Sequence, residues 1–585
     1  MKQTSCSGKI WKAREIDERK IYQYINDFEL SDLLARILIA RGIEADKVMS
    51  FLNPKIKDLL PDPLHLIDMK KACERAADSI EKNEKITVLG DYDVDGATSS
   101  ALLIRFFNSI GANCAVYIPD RMTEGYGPSP EIMDKFKSNG SSLAITVDCG
   151  ITAFAAMEHA SKIGLDVIIL DHHMSDITMP KAYAVVNPNR FDEKSEYKNL
   201  AAVGVSFLFL VGLMGILRKR GFFTEKTEPD LLNLLDLVAL GTICDMMTLT
   251  GLNRAFVIQG LKIMTKRQNL GLKILSEYGK IDTLPSTYHL GFVIGPRINA
   301  GGRVGKSYLG SHLLATLDDE LAHKYAQELE NYNEERKVIE QQVLEEAMIM
   351  AEEQADKNYI LVYAENWHPG VVGIVAGKLK ERYQKPVAAM AIDGDVGKAS
   401  CRSVRGIDLG SKIVEAKNKG ILITGGGHAM AAGFTVDKNR IHELVEFLDE
   451  AMSKESETLV ENNTYYYDAE VSPNAFNLNL AKEINKLEPY GNGNSEPLIK
   501  VAGLFVLKAN VTNNRHISCL LAPDRKAFGS SAIKAIAFNC VGTPLADALL
   551  SEKALNLTVF GNIKINHWQG NSNAQLFIND IAVND

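Results

Sequence analysis

The stretch LGDYDVDGATSS, residues 89–100, places the carboxylates Asp91, Asp93 and Asp95 within five positions and follows them at once with a glycine. A short apolar and β-branched run, Ile86, Thr87, Val88 and Leu89, leads into it. The arrangement recurs: Asp148 follows LAITV, Asp171, His172 and His173 follow DVIIL, and Asp245 follows LLDLVALGTIC. A single aspartate after a strand is commonly a turn or helix-cap residue. Asp91 and Asp171 taken singly fit that description, and Asp171 equally fits a group that holds a histidine tautomer. Asp93, Asp95, Asp148, His172 and Asp245 together do not read as coincidence, and His173 either joins them or packs beside His172. Carboxylates gathered in one crevice repel one another and are partly desolvated, which is costly unless a cation sits among them. Mixed Asp and His ligands without a thiolate suit Mn2+, or Mg2+ where carboxylate dominates. There are enough carboxylates for two ions, one residue bridging, which describes a two-metal phosphoryl-transfer centre. No Ser/His/Asp or Cys/His pattern calls for a nucleophilic side chain.

Separate segments must bring these groups together. KITVLG, NCAVYIPD, SLAITVDCG, LDVIILDHH and YAVVNPN read as buried strands, with SSALLIRFFNSIG and TAFAAMEHASKIG as helices between them. That alternation predicts a doubly wound parallel sheet, whose ligand crevice lies beyond the carboxyl ends of its strands. Gly96 is expected to allow a tight turn into a helix beginning at Thr98 and Ser99, and LLNLLDLVALGTICD is expected to form a buried helix ending near Gly241. A long charged helix without Gly or Pro is expected from Asp318 to about Lys357, as a spacer between two globular halves. NYILVYAENWHPGVVGIVAGKL opens a second α/β unit, and the closing region reads as strands of a small antiparallel barrel of the OB type. The expected organisation is a helical lead-in over 1–65, a catalytic α/β domain over 66–315, the connecting helix over 316–357, the second α/β domain over 358–455 and the barrel over 456–585.

A chain of 585 residues is too long for one core. Its net charge of −9 argues against a protein coated in basic charge for duplex binding, but leaves room for a local arginine groove. No apolar run of 18 or more residues is read from the sequence, so no membrane span is expected. The first residues lack the apolar core of a signal peptide. The eight cysteines are scattered singly with no CxxC pair, which suits a reducing cytoplasm.

DYDVDGATSS, VDCG, DHH and GTICD stand in the order of the four motifs of the DHH phosphoesterase superfamily, and GGGHAMAAGF resembles the glycine-rich element of its DHHA1 companion domain. RGIEADKVMSFLNP, RMTEGYG, GPRINAGGR, KASCRSVRG and LEPYGNGNSEP resemble the RecJ exonucleases within that superfamily. The resemblance covers nearly the whole chain. It implies a DHH domain, a DHHA1 domain and an OB-like nucleic-acid-binding domain, and an enzyme degrading single-stranded DNA from its 5′ end to mononucleotides in DNA repair and recombination. Two Mn2+ or Mg2+ ions would be held by Asp93, Asp95, Asp148, His172 and Asp245, with Asp148 bridging. Many superfamily members carry a histidine four places before the first ligand aspartate. Leu89 stands there instead, and Asp91 is the candidate to compensate. His173 would touch the scissile phosphate.

The resemblance also implies a substrate track. Ser400 and Arg402 match a pocket for the terminal 5′ phosphate, and Arg121 and Tyr126 match a pair contacting the strand near the entrance. Arg297, Asn299 and Arg303 lie in the GPRINAGGR stretch, where glycines admit a phosphate and arginines bind it. Gly426, Gly427 and His428 belong to the glycine-rich element. Tyr465, Tyr466, Tyr467, His516 and Trp568 are aromatic candidates of the barrel. Single-strand binding protein and a helicase follow as partners, with no membrane partner and a monomeric state. Two other readings compete: a DHH phosphodiesterase acting on short RNA oligonucleotides or cyclic dinucleotides, and an inactive replication scaffold. The long chain, the GPRINAGGR stretch and the added barrel oppose the first, and ligands intact at every metal position but Leu89 oppose the second.

Overall fold

A computed structural model describes residues 5–121, 123–125, 127–461, 464–524, 532–553, 555–568 and 571–584. The chain forms two compact units: residues 60–248 with 255–460, and residues 1–59 with 249–254 and 461–585.

The larger unit is built on a parallel sheet of β1 (Lys85–Gly90), β2 (Cys114–Tyr117), β3 (Ser141–Val147), β4 (Asp166–Leu170) and β5 (Ala184–Val186), in the order β2-β1-β3-β4-β5. Helices cover both faces, so the strands are apolar almost throughout instead of alternating. The strand order reverses between β1 and β3, the point where such sheets open a crevice. Register sharpens this. Gly90 pairs with Val147, Val147 with Leu170, and Leu170 with Val186. The next residue of each strand, Asp91, Asp148, Asp171 and Asn187, therefore stands in one row along the crevice. The row is tied to the ladder: the Asp148 N–H donates to Leu170 O at 3.1 Å, and that of Asp171 to Val186 O at 3.1 Å.

Helix α1 (Val94–Ser109) starts earlier than the Thr98/Ser99 expectation, because the Asp93 carboxylate caps it by accepting the N–H groups of Asp95 and Gly96 at 2.9 and 3.1 Å. Asp95 thus lies inside the first turn. Gly96 is needed for close approach: a Cβ there would stand 2.4 Å from Asp91 O. Helix α2 (Ala202–Lys219) corrects the expectation that no segment has membrane-spanning length; it is 18 residues long with a mean hydropathy of 1.7. Most of it is buried against α1, helix Met69–Glu81 and α3 (Leu235–Cys244), which accounts for its composition. Helix α3 runs past Gly241 to Cys244, so Asp245 is its C-cap residue.

A helical run then ends in α4 (Gly295–Val304), preceded by a π-helical stretch, His289–Ile294. Helix α5 (Asp319–Glu352) is capped by Asp318, whose carboxylate accepts the Leu321 N–H at 3.0 Å; it stops short of Lys357. It is not a free spacer. Ala322, Ala326, Leu329, Asn333, Arg336, Glu340, Val343, Ala347 and Ala351 form one buried stripe along its whole length. The second sheet comprises β6 (Ile360–Glu365), β7 (Val387–Asp393), β8 (Val396–Arg402), β9 (Thr424–His428) and β10 (Ala431–Asp437), ordered β9-β10-β8-β7-β6, with α6 (Val372–Tyr383) packed on it.

The smaller unit differs from the expected independent lead-in. Strand Ile10–Ala13 pairs in parallel with Thr464–Tyr467, and Ile21, Leu34, Ile37, Leu38 and Val48 share one core with Ile499, Val501, Leu557 and Ile581. The amphipathic first helices have no core of their own to close on. Its six-stranded sheet closes through pairing of Ile499–Thr512 with Asn556–Trp568. The barrel is not wholly antiparallel: Ile533–Ala537 pairs in parallel with Asn571–Asn584. Arg254, fully buried, donates to the carbonyls of Phe51, Leu487, Glu488 and Pro489.

Candidate active site

The row of strand-end residues, the cap of α1 and the end of α3 deliver their side chains to one crevice. Ligand atoms of Asp91, Asp93 and Asp148 lie within 4.8 Å of one another, as do those of Asp95, His172 and Asp245, and those of Asp148, His172 and His173. His172 Nε2 stands 3.3 Å from Asp148 Oδ1, 3.4 Å from Asp245 Oδ2 and 3.9 Å from Asp95 Oδ2. Ligands of an octahedral ion at ~2.1 Å are separated by about 3 to 4 Å, so this spacing suits a shared cation. Asp91 Oδ1, His172 Nε2 and Asp245 Oδ2 are buried and make no hydrogen bond among the described residues. Asp148 adopts φ 60°, a left-handed backbone that a non-glycine residue takes at a cost.

The electrostatics agree. Burial, reinforced by neighbouring carboxylates, raises Asp95 and Asp148 well above the usual carboxylate range. Burial and then Asp93 push Asp91 to about 8 and Asp245 to about 7. Burial, reinforced by His173, lowers His172 to about 4, keeping it neutral. Its ring also bonds the Leu200 backbone, and Nε2 is the nitrogen that faces Asp148 and Asp245. Asp171 is no ligand. It is fully buried, accepts the N–H groups of Ile151, His172 and His173, and bonds His173 Nδ1 at 2.8 Å. Burial opposes the charge on both partners and is the largest single influence, but that bond together with the attraction of the surrounding opposite charges outweighs it, taking Asp171 down to about 2 and His173 up to about 9. With all five ligand carboxylates ionised and the Asp171–His173 pair neutral overall, the formal charge is −5, most of which two divalent cations would offset. The donor set therefore fits two hard divalent ions, with Asp148 common to two groups.

Leu89 does not face this centre; it is fully buried with Ile132, Ala144, Met157 and Ile169. Asp91 occupies the ligand group instead. Asp95 is more committed than expected, since its carboxylate accepts the Ala202 and Val203 N–H groups at 2.6 and 3.0 Å and caps α2.

Beyond Asp93 lies a cationic region. Burial, then repulsion from Arg121, Arg336 and Arg402, lowers Arg303 to about 10, while Asp93 opposes the shift. Neither Arg303 nor Arg402 has a carboxylate partner among the described residues. Arg303 donates to Gly370 O at 2.9 Å, and Arg402 to Ser400 Oγ at 3.2 Å and Cys401 O at 2.8 Å. Arg121 lies over the Tyr92 ring, 4.9 Å from its centroid. Strand register gathers the far end: Ser400 pairs with Gly433 and Gly433 with Gly426, while Arg402 pairs with Ala431 and Ala431 with His428. Period-two alternation puts Ser400, Arg402, Gly426 and His428 on one face. Gly427, with φ 147°, is out of step with that face. Helix α6 begins at this place. A Cβ on Gly373 would come 2.9 Å from Ser400 Oγ and 3.4 Å from Arg402 Nη2. The pocket thus combines a helix N-terminus, a hydroxyl and an unpaired guanidinium, all favourable to an anion.

Some expected residues stand apart. Arg297 is committed to Glu330 at 2.6 and 3.2 Å and to Val293 O at 2.7 Å, so it braces α4 against α5 instead of awaiting a phosphate. The glycine spacing showed only that an arginine was near, not what would neutralise it. Asn299 lies half-buried on α4, between the two arginines in sequence. Tyr126 and the Trp568 side chain lie outside the described residues. In the smaller unit, Tyr465 is covered by Lys9, Tyr467 packs near Phe560, His516 bonds the Asn539 N–H, and Tyr466 is exposed. Asn187 and Gly373 were missed. Asn187, fourth in the row, holds His173 O at 2.8 Å; its position after AYAVV matches the aspartates and was the available signal.

Family models match in order: DHH family, N-terminal domain, over residues 85–242; DHHA1 domain over 356–454; RecJ OB domain over 467–580. The chain is 34% identical to the single-stranded-DNA-specific exonuclease RecJ of Salmonella typhimurium, covering 94% of this chain and 96% of the relative. It is 33% identical to that of Escherichia coli, covering 97% and 98%. A crystal structure of RecJ in complex with Mn2+ from Thermus thermophilus superposes with a TM-score of 0.77 at 27% identity, covering 98% of this chain and 79% of that one.

Proposed function

The chain belongs to the RecJ family of single-stranded-DNA-specific exonucleases, and from that premise we propose how its side chains divide the work. It is a metal-dependent exonuclease acting on single-stranded DNA. One observation carries the proposal: a cluster of carboxylates and imidazoles spaced to hold metal ions, with Arg303 within electrostatic reach of both Asp93 in that cluster and Arg402, whose guanidinium bonds Ser400. Asp91, Asp93 and Asp148 would hold one ion and Asp95, His172 and Asp245 the other, with Asp148 common to both. Bound ions would supply a nucleophilic water of lowered pKa and stabilise the leaving oxygen.

The residues of the chain do the rest. Arg402, Ser400 and the start of α6 bind the terminal 5′ phosphate. Arg303 and Arg121 hold the strand between pocket and centre. His173, kept protonated by Asp171, offsets charge developing on the scissile phosphate. Water adds to phosphorus and the bond to the 3′ oxygen breaks, with a proton passing to that oxygen. The released mononucleotide keeps its 5′ phosphate, and the shortened strand carries a new one that fits the same pocket. This gives 5′→3′ polarity. The strand must be unpaired first, so a helicase and single-strand binding protein are the expected partners, in DNA repair and recombination. We place the enzyme in the cytoplasm, as a monomer.

The test uses end-labelled single strands, the matching duplex and short oligonucleotides, each with Mn2+ and with EDTA. Mononucleotides released from the 5′ end of single strands alone, and only with metal, are expected. Cleavage confined to dinucleotides would sink the proposal.

A further inference from the structure

Helix α3 ends at Asp245, and the segment packed against that end carries an exposed aromatic pair with no assigned role. Tyr288 is 62% exposed and Phe292 72%. Their rings are stacked, with centroids 5.4 Å apart and planes 26° from parallel. Apolar side chains this exposed, side by side, mark a contact surface more often than a scattered surface leucine does. Met246, directly after Asp245, is 66% exposed as well.

The backbone explains how the pair is held. Pro296 has no N–H, so it cannot continue the α-helical ladder back to Phe292, and the chain before it takes the π form over His289–Ile294. Leu290 and Ile294 are buried while Phe292 is turned to solvent. The segment sits hard against the end of α3: Cys244 Sγ lies 3.5 Å from Leu290 O, and a Cβ on Gly295 would stand 2.6 Å from Cys244 Sγ. The segment that bears the rings is thus anchored against the end of α3 that carries Asp245, and Asp245 shares its ligand group with His172 and Asp95. The arginines gather instead at Tyr92, between Asp91 and Asp93: Arg121 lies over the Tyr92 ring, and a Cβ on Gly302, next to Arg303, would stand 3.0 Å from that ring. A strand lying from pocket to metal centre therefore leaves the centre on the Asp245 side.

We propose that Tyr288 and Phe292 form a stacking platform for unpaired bases on the 3′ side of the scissile phosphate. This rests on the exonuclease reading and deepens it. Stacking on a flat aromatic face is open to any base, as a non-specific nuclease requires, and bases already paired in a duplex cannot use it. The platform thereby adds selection for single strands on the side away from the 5′ pocket.

The test compares wild type with Tyr288→Ala/Phe292→Ala on a 5′-phosphorylated strand of about thirty nucleotides and on a 5′-phosphorylated dinucleotide. The expected result is a roughly 5- to 150-fold fall in the ratio of kcat/KM on the long strand to that on the dinucleotide, carried by KM. Phe292→Trp should restore the ratio. The fluorescence of 2-aminopurine placed 3′ to the scissile bond should be quenched on binding to wild type with EDTA present and not on binding to the double variant. An unchanged ratio with unchanged quenching overturns the platform, and a double variant that only loses self-association by light scattering would reassign the face to a second copy of the chain. A wild type inactive on every strand would refute the exonuclease reading itself, whereas an active wild type with an indifferent variant refutes the platform alone.

Discussion

Metal binding should expel protons from the site, in a number set by two side chains. Asp91 and Asp245 are pushed to about 8 and about 7 in the metal-free protein, and a divalent ion requires both as carboxylates. From these values, ion binding displaces roughly 1.9 protons at pH 6, roughly 1.4 at pH 7 and roughly 0.6 at pH 8 from these two groups. Asp95 and Asp148 are also raised and add to each figure. The assay is calorimetric titration of the metal-free protein with Mn2+ in buffers of different ionisation enthalpy, whose slope counts protons. Asp91→Asn should remove about one proton of the release at pH 6. A raised carboxylate stabilises the fold while neutral. That contribution is complete below its unfolded value near pH 4 and is lost as pH rises through 7 to 8. The Tm of the metal-free protein should therefore fall between pH 6 and pH 8 while the Mn2+-loaded protein holds, so the gap between them widens. Release of fewer than about half a proton at pH 6 would refute the argument that crowding and burial keep these carboxylates protonated.

Asp171→Asn should cost roughly 10- to 100-fold in activity and move the alkaline limb of the pH profile down from about 9 toward the free imidazole range, because His173 loses the partner that keeps it charged. An unmoved limb would show that His173 does not act as a cation. Arg402→Ala should reduce the preference for 5′-phosphorylated over 5′-hydroxyl strands by roughly 10- to 150-fold, the worth of a charge-assisted hydrogen bond; equal rates on both ends would remove the pocket assignment. Gly373→Ala should raise KM for a phosphorylated strand with little change in Tm, because its Cβ would crowd Ser400 Oγ and Arg402 Nη2, and an unchanged KM would mean the phosphate sits elsewhere. Arg254→Ala should destabilise the smaller unit by about 2–6 kcal/mol, since it removes the donor to the Phe51 and Glu488 carbonyls, while Leu487 O and Pro489 O keep the Asn494 amide. Denaturant melts would check this, and a loss below about 1 kcal/mol would mean water replaces the guanidinium.

Much of this was legible in the residues. Apolar runs ending in Asp or His declared both the parallel sheet and the edge at which chemistry sits, because a doubly wound sheet buries its strands and opens at their carboxyl ends. Asp148, His172 and Asp245 could be named from that pattern alone. The resemblance to RecJ proteins added Ser400 and Arg402, which no periodicity would single out. Partner choice was not legible. Arg297 and Arg303 look alike in GPRINAGGR, yet Glu330 on α5 neutralises the first and nothing carboxylate meets the second among the described residues. Asp91 and Asp171, taken singly, looked like a site residue or a cap, whereas Asp93 and Asp95 read as ligands. The fold makes Asp93 and Asp95 caps as well as members of ligand groups, and makes Asp171 the holder of His173.

By itself the sequence determined which residues could meet: local hydrophobic pattern sets strand and helix, and strand ends set the crevice. Tertiary structure alone decided the register that aligns Asp91 with Asp148 and Asp171, the burial of Leu89 away from the site, and the closing of the first helices on the barrel. Those depend on contacts between residues far apart in the chain, and a one-residue slip in strand pairing would redirect every side chain without changing a letter of the sequence.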